Sequence, residues 1–352
     1  MRILLGGAGG APTNNVSRSL RLGGSGDTLI GMNAAPAELL LADVDERHLV
    51  PPAVAPDYPE RLLELLERSS PDLIHVQNDV EVRAISRMRN EIEAAGVKHY
   101  LPAAETVENC VDKFRSYEIW RRAGVPVAET IPIGDEGDLR DAFDRFSGRL
   151  WLRAREGGGG FGALPVDGPD QYEFARGWIE RFRGWGSFTA SERLSPDSVT
   201  WLSLWFEGDL VVGQTRKRIL WHFANRTLSG VTGVTGVART WSSEPITEAA
   251  LAAVQNIDPR PHGIFAVDLT IDDAGSPRVT EINIGRFFTT VLFFAEAGLN
   301  LPQIYRDIAL EGRLPDLKQK LDPLPDDLVW IRGMDAEPVL ARLGDVEGLE
   351  DA

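Results

Sequence analysis

Two carboxylates and a carboxamide late in the chain have the types and spacing to hold a divalent ion. Glu281 and Asn283 stand two apart in the run Val279-Thr280-Glu281-Ile282-Asn283. Alternation along a strand points residues i and i+2 to one face. Asp268 lies in the preceding apolar run, Gly263 to Ile271, and the turn Asp272-Asp273-Ala274-Gly275 can fold the two runs into a hairpin. Three hard oxygen donors would then form an unfinished shell, of the kind magnesium completes with water and nucleotide phosphates. The competing reading is an acidic hairpin edge on a very acidic protein.

An anionic nucleotide also needs cations. Formal charge is −16, and lysine occurs only at Lys98, Lys113, Lys217, Lys318 and Lys320, with arginine supplying the other 32 of 37 basic residues. Such a surface is unsuited to nucleic acid, so local basic clusters stand out. Arg153 and Arg155 share a strand face just before Gly157-Gly158-Gly159-Gly160-Phe161-Gly162. Consecutive glycines let backbone N–H groups converge on an anion, and arginine grips phosphate in bidentate fashion. A mobile loop with two solvated arginines is the alternative. No Lys-Ser/Thr follows, so this is not a Walker A loop. Lys113 opens a helix against the macrodipole, which hints at a role beyond structure, although a surface lysine is the plainer account. Arg216-Lys217-Arg218 is the densest basic cluster; with Arg286 it could hold a phosphate or a substrate carboxylate, or simply be a solvated edge. Glu192-Arg193-Leu194 interrupts strand character and could expose backbone groups to an adenine edge; a simple loop explains it equally. Gly7-Ala8-Gly9-Gly10-Ala11 follows the first strand, but Pro12 stands where a dinucleotide fingerprint needs its third glycine. A plain glycine turn accounts for it better.

These residues need elements to position them. Residues 1 to about 100 alternate strand and helix: a strand at Arg2 to Leu5, a helix at Asn15 to Leu22, a strand at Glu38 to Ala42, a leucine-striped helix at Tyr58 to Arg68, a strand at Asp72 to Val76, a helix at Val80 to Ala95 and a strand at Val97 to Leu101. This rhythm predicts a parallel sheet covered by helices. A second unit opens near Pro102, with a helix at Asp112 to Ala123, a strand at Arg149 to Ala154, a helix at Pro169 to Phe182, β-rich sequence from Phe188 to Arg239, a helix at Thr247 to Gln255 and then the acidic hairpin. Phe293 to Ala309 reads as broken helix. Beyond Pro315 the chain is acidic and proline-rich, with strand character at Leu328 to Arg332.

The length of 352 residues predicts two or three domains. No apolar run approaches the roughly 20 residues of a membrane span. The N-terminus is too short in apolar character for a signal peptide. Cys110 is the single cysteine, and the five histidines show no ligand spacing. A cytoplasmic protein without structural zinc or membrane partner is expected.

Taken in order, the glycine turn, Asp112-Lys113, Arg153 with its glycine loop, Glu192, the basic cluster, Asp268 and Glu281-x-Asn283 resemble the ATP-grasp superfamily. The resemblance runs from about residue 1 to about 310 and is nearest the branch of carbamoyl phosphate synthetase large subunits, biotin carboxylase and carboxylate–amine ligases. Val111-Asp112-Lys113-Phe114, with Arg122-Ala123-Gly124-Val125-Pro126-Val127, is similar to the segment opening the family's ATP site. The resemblance implies an α/β and α+β multidomain fold: a Rossmann-like parallel N-terminal domain (1–101), then a two-lobed ATP-grasp domain (102–188 and 189–315) with the nucleotide between two sheets, and an acidic C-terminal extension (316–352). It implies ATP and Mg2+ as cofactors. Lys113 and Arg153 would contact phosphates, the loop at Gly157, Gly158, Gly159 and Gly160 would cover them, and Glu192 and Leu194 would meet adenine through their backbones. Asp268, Glu281 and Asn283 would hold magnesium; Arg218 and Arg286 would face the transferred phosphoryl group. Three departures stand out. Arg153 replaces the usual lysine, Ser198 is nearest to where a ribose-binding glutamate is missing, and Ile284-Gly285-Arg286 follows Asn283 where the family often has Pro-Arg.

The implied activity is ligation of a small-molecule carboxylate to an amine through an acyl phosphate, or phosphorylation of carbamate or bicarbonate. The family is often homodimeric, though no residue here marks an interface. The alternatives are a catalytically silent nucleotide-binding module and a nicotinamide-dependent oxidoreductase using the N-terminal glycines.

Overall fold

The computed structural model describes residues 1–160, 162–231, 233–333 and 339–342. Its first sheet is parallel, ordered Glu46–Leu49, Thr28–Asn33, Arg2–Gly6, Leu73–His75. Ile3, Leu4 and Leu5 are buried on both faces, as the continuous apolar run of a helix-covered parallel strand requires. Helix Tyr58–Ser69 packs Leu62, Leu65 and Leu66 into that core.

Two antiparallel sheets follow. The smaller is ordered Thr130–Ile133, Phe188–Glu192, Arg149–Ala154, Leu164–Asp167. Helices Glu136–Arg145 and Tyr172–Phe182 close one face of it around Leu139, Phe143, Ile179 and Phe188. The larger is ordered Pro277–Ile284, Gly263–Ile271, Ser198–Phe206, Asp209–Trp221, Thr235–Thr240, Leu328–Ile331, Val339–Arg342. Its strands alternate between two cores. Val199, Trp201 and Val267 join the N-terminal residues and helix Glu244–Ile257 on one side; Leu202, Leu204 and Ala266 face Phe293 and Trp330 on the other. Helix Lys113–Ala123 is capped by Asp112, whose carboxylate accepts from the Phe114 and Arg115 N–H groups, and stopped by Gly124 at φ 75°.

Several expectations need correction. Glu38 to Ala42 is not a strand: Pro36–Leu40 is helical, because Pro36 suits a first helical turn, and the second strand is Thr28–Asn33. Val97 to Leu101 adds only a bridge from Lys98 to Leu73. The division at 188/189 falls inside strand Phe188–Glu192, which pairs on both sides within the smaller sheet. The segment after 315 is no appendage. Leu328–Ile331 pairs with Thr235–Thr240, and Asp322 accepts hydrogen bonds from Thr215 N (2.6 Å) and the Thr247 hydroxyl (3.2 Å).

Candidate functional site: a cationic cleft over an acidic hairpin

The hairpin forms in the expected register. Asp268 stands directly opposite Glu281 and Ala266 opposite Asn283, so all three polar side chains share one face. A bulge between Asp268 and Leu269 leaves Thr280 as the extra residue, and its hydroxyl donates to the Asp268 carbonyl at 3.0 Å. Asn283 Nδ2 donates to Asp268 Oδ2 at 3.0 Å. Asp268 Oδ1 accepts from the Thr200 hydroxyl at 2.5 Å and from Arg218 Nη2 at 2.9 Å. Burial pushes the Asp268 carboxyl up, but Arg218, the Thr200 hydroxyl and Arg216 outweigh it and hold it below the ordinary carboxylate range.

Cations gather around the second carboxylate too. Lys113 Nζ stands 3.3 Å from Glu281 Oε2 and donates to the Gly157 carbonyl at 2.5 Å. Arg153 Nη1 is 4.0 Å from Glu281 Oε2, and Nη2 donates to the Thr280 carbonyl at 2.8 Å. Burial lowers the Arg153 pKa. On the far side, Arg286 Nη2 donates to Asn283 Oδ1 at 2.5 Å while its Nε and Nη2 grip Asp79 at 2.5 and 3.1 Å.

A cleft of about 510 Å³ runs between the two antiparallel sheets past these groups. Arg153, Arg218, Arg286, Asp268, Glu281 and Asn283 line it, as do Glu192, Leu194, Ser198, Gly159 and Gly160. The glycine loop is drawn across its mouth. A Cβ on Gly160 would fall 2.8 Å from the Val231 carbonyl, and one on Gly158 would fall 3.0 Å from Asp79 Oδ2. Ser198 is occupied as the acceptor of an Arg218 hydrogen bond. The Glu192 side chain turns to the Glu129 N–H, and its own N–H donates to the Glu129 carbonyl (3.0 Å each). Its backbone therefore has no donor to spare, and Leu194 is the nearer candidate for an adenine edge.

Arg155 leaves the expected group. It follows the end of the strand and turns to Asp112, with contacts of 2.5 and 3.2 Å, so it supports a helix cap rather than a phosphate. The N-terminal glycines also serve packing: a Cβ on Gly9 would lie 1.7 Å from the Glu38 carbonyl. That close approach gives Gly9 a packing role, in keeping with a plain glycine turn. Sequence reasoning missed Thr200 and Asp79. Thr200 pairs with Asp268 across a strand boundary and Asp79 arrives from the N-terminal unit, 207 positions from Arg286; no local pattern announces either.

Among the described residues no three or more His, Cys, Asp and Glu side chains cluster to hold a metal. The hairpin's donor set is therefore two carboxylates and one amide oxygen. These are all hard oxygens, which suit magnesium when water and phosphate complete the shell. No described helix is long and apolar enough to cross a membrane.

No protein-family model matches this sequence, and no curated protein matches it. Solved structures do. The biotin carboxylase domain of 2-oxoglutarate carboxylase from Hydrogenobacter thermophilus, a dimer in complex with MgADP, ADP and bicarbonate, is 17% identical, with TM-score 0.70 over 94% of this chain and 73% of its own. L-amino acid ligase from Bacillus licheniformis is 14% identical, with TM-score 0.68 over 94% of this chain and 78% of its own. N5-carboxyaminoimidazole ribonucleotide synthetase from Thermus thermophilus is 17% identical, with TM-score 0.68 over 96% of this chain and 85% of its own. At these identities the likeness speaks for the fold alone: this chain has the ATP-grasp fold.

Proposed function

We propose that the protein is an ATP-dependent ligase that activates a small carboxylate as an acyl phosphate and joins it to an amine. The observation carrying this reading is the convergence of Asp268, Glu281 and Asn283 beneath a cleft rich in arginine, in a chain of formal charge −16. A net acidic protein that concentrates buried cations in one cleft has built a site for anions. The biotin carboxylase neighbour bound to MgADP supports a magnesium nucleotide as one occupant here.

In this reading the nucleotide lies between the two antiparallel sheets, with adenine toward Leu194 and the terminal phosphates toward Lys113, Arg153 and the glycine loop. Asp268, Glu281 and Asn283 would hold Mg2+, which would neutralise charge on the β- and γ-phosphates. A substrate carboxylate oxygen attacks the γ-phosphorus; the bond to the bridging oxygen breaks and ADP leaves. Arg218 and Arg286 are fixed by Asp268, Asp79 and Asn283 before any ligand arrives, so they meet the developing charge without reorganising. An amine then attacks the acyl carbon, phosphate departs, and the amine's proton passes to solvent. The glycine loop excludes water, which would otherwise hydrolyse the acyl phosphate. No enzyme nucleophile is needed, and the cleft lining contains no His or Cys among the described residues.

ADP release, measured with a panel of small acids and amines, tests this. An acid-dependent ADP signal whose product requires the amine is expected. ATP binding without turnover under every acid and amine would instead leave a silent nucleotide module.

A further inference from the structure

We propose that Arg216 anchors the carboxylate of the acid substrate, and that this substrate is a monocarboxylate whose apolar body lies along Phe288 and Trp221. The inference rests on the ligase reading and deepens it. The other arginines lining the cleft each have a protein carboxylate within ion-pair distance: Arg153 has Glu281, Arg218 has Asp268, Arg286 has Asp79 and Arg193 has Asp167. Arg216 alone among them has none within the described residues. It lines the cleft at 1% exposure, yet its Nη atoms donate only to the hydroxyls of Thr290 (2.6 Å) and Thr200 (3.0 Å), and its buried Nε has no partner. Asp268 makes no ion pair or hydrogen bond with it: the two share the Thr200 hydroxyl and attract only at longer range. Hydroxyls orient a guanidinium but supply no countercharge, and an uncompensated buried charge is costly. A ligand anion would remove that cost and accept in the planar, forked geometry that arginine offers a carboxylate.

The cations also divide by position. Lys113 and Arg153 flank Glu281, the expected nucleotide side, whereas Arg218 and Arg216 flank Asp268 on the opposite side. The second group stands on aromatic walls: the Arg216 guanidinium lies 4.1 Å from the Phe288 ring centroid and that of Arg218 4.6 Å from Trp221. Both rings, Phe288 and Trp221, line the cleft. An acid with an aliphatic or aromatic body would cover such surface; a second charge on its body would be stranded there.

The test uses the full chain with MgADP present and follows melting temperature and tryptophan fluorescence. The probes are hydrocinnamate, its neutral amide and succinate. Hydrocinnamate should bind at least about tenfold more tightly than the other two, the factor expected of a charge-assisted hydrogen bond. Arg216→Met should weaken hydrocinnamate by a similar factor, and Arg216→Lys should restore part of it. Trp221→Ala should weaken hydrocinnamate while keeping the preference for acid over amide. Equal binding of acid and amide, succinate binding as well as hydrocinnamate, or an Arg216→Met protein that binds hydrocinnamate like wild type would each overturn the proposal. If Arg216→Met does not fold, the wild-type acid-to-amide ratio and Trp221→Ala decide it. Failure of wild type to bind MgADP at all would instead bring down the ligase reading.

Discussion

Replacing Asp79 with asparagine should loosen the hold of the N-terminal unit on Arg286 in a pH-dependent way. Asp79 grips Arg286 at two points, 2.5 and 3.1 Å, across 207 positions of sequence. The side chains are 24% and 13% exposed, between a surface pair worth under about 1 kcal/mol and a buried pair costing about 3–5 kcal/mol to break. A coupling energy of roughly 1–3 kcal/mol follows. Burial alone would raise the Asp79 carboxyl, but the charge and hydrogen bonds of Arg286 win and hold it below the ordinary value. A depressed carboxyl contributes stability above its unfolded pKa of about 3.9 and loses it as pH falls through the folded value. Urea unfolding of wild type, Asp79→Asn, Arg286→Met and the double variant gives the coupling directly. It should be full at about pH 7 and shrink as pH falls below the unfolded value of about 3.9 and through the lower folded one. Additive single effects at neutral pH, or coupling that grows with acid, would refute the reasoning.

Other outcomes can be checked in parallel. Glu81 is buried beside Asn78, and burial pushes its carboxyl up to about 7. A raised carboxyl costs stability as pH rises from its unfolded value of about 4.3 toward 7, so Glu81→Gln should stabilise the protein by about 1–3 kcal/mol at about pH 8 and by little at about pH 4; urea midpoints at the two pH values measure this. Gly160 holds φ +73° against the Val231 carbonyl, so Gly160→Ala should cost about 1–2 kcal/mol locally and open the loop. Faster proteolytic cutting near residue 160, with and without nucleotide, would register it. Arg153→Met should weaken MgATP by about tenfold or more, whereas Arg155→Ala should leave it nearly unchanged, because Arg155 serves Asp112 rather than the cleft; calorimetric titration separates the two.

The hairpin is legible in the sequence because its information is local. One turn and a period of two fix the face of Glu281 and Asn283, and the strand across it needs only the same register. The glycine loop and the basic strand read through for the same reason. What escapes sequence reading depends on distance or on chain ends. Arg155 shares a face with Arg153 only if the strand continues, but the strand ends at Ala154 and Asp112 captures the guanidinium. Leu328–Ile331 has strand character, yet nothing near it says that it extends a sheet begun 130 positions earlier at Ser198. Asp79 and Thr200 have no signature beyond their neighbours in space. The helix Pro36–Leu40 passes for a strand because its leucines suit either period over five residues.

In the proposed ligase the hairpin and its cations receive the magnesium-bearing end of ATP. Calorimetric titration of ATP into wild type and Glu281→Gln, each with and without Mg2+, tests it most directly. Wild type should bind ATP roughly tenfold or more tightly with Mg2+, and Glu281→Gln should lose most of that difference while still binding the nucleotide. A variant that keeps the full magnesium dependence of wild type would contradict the account.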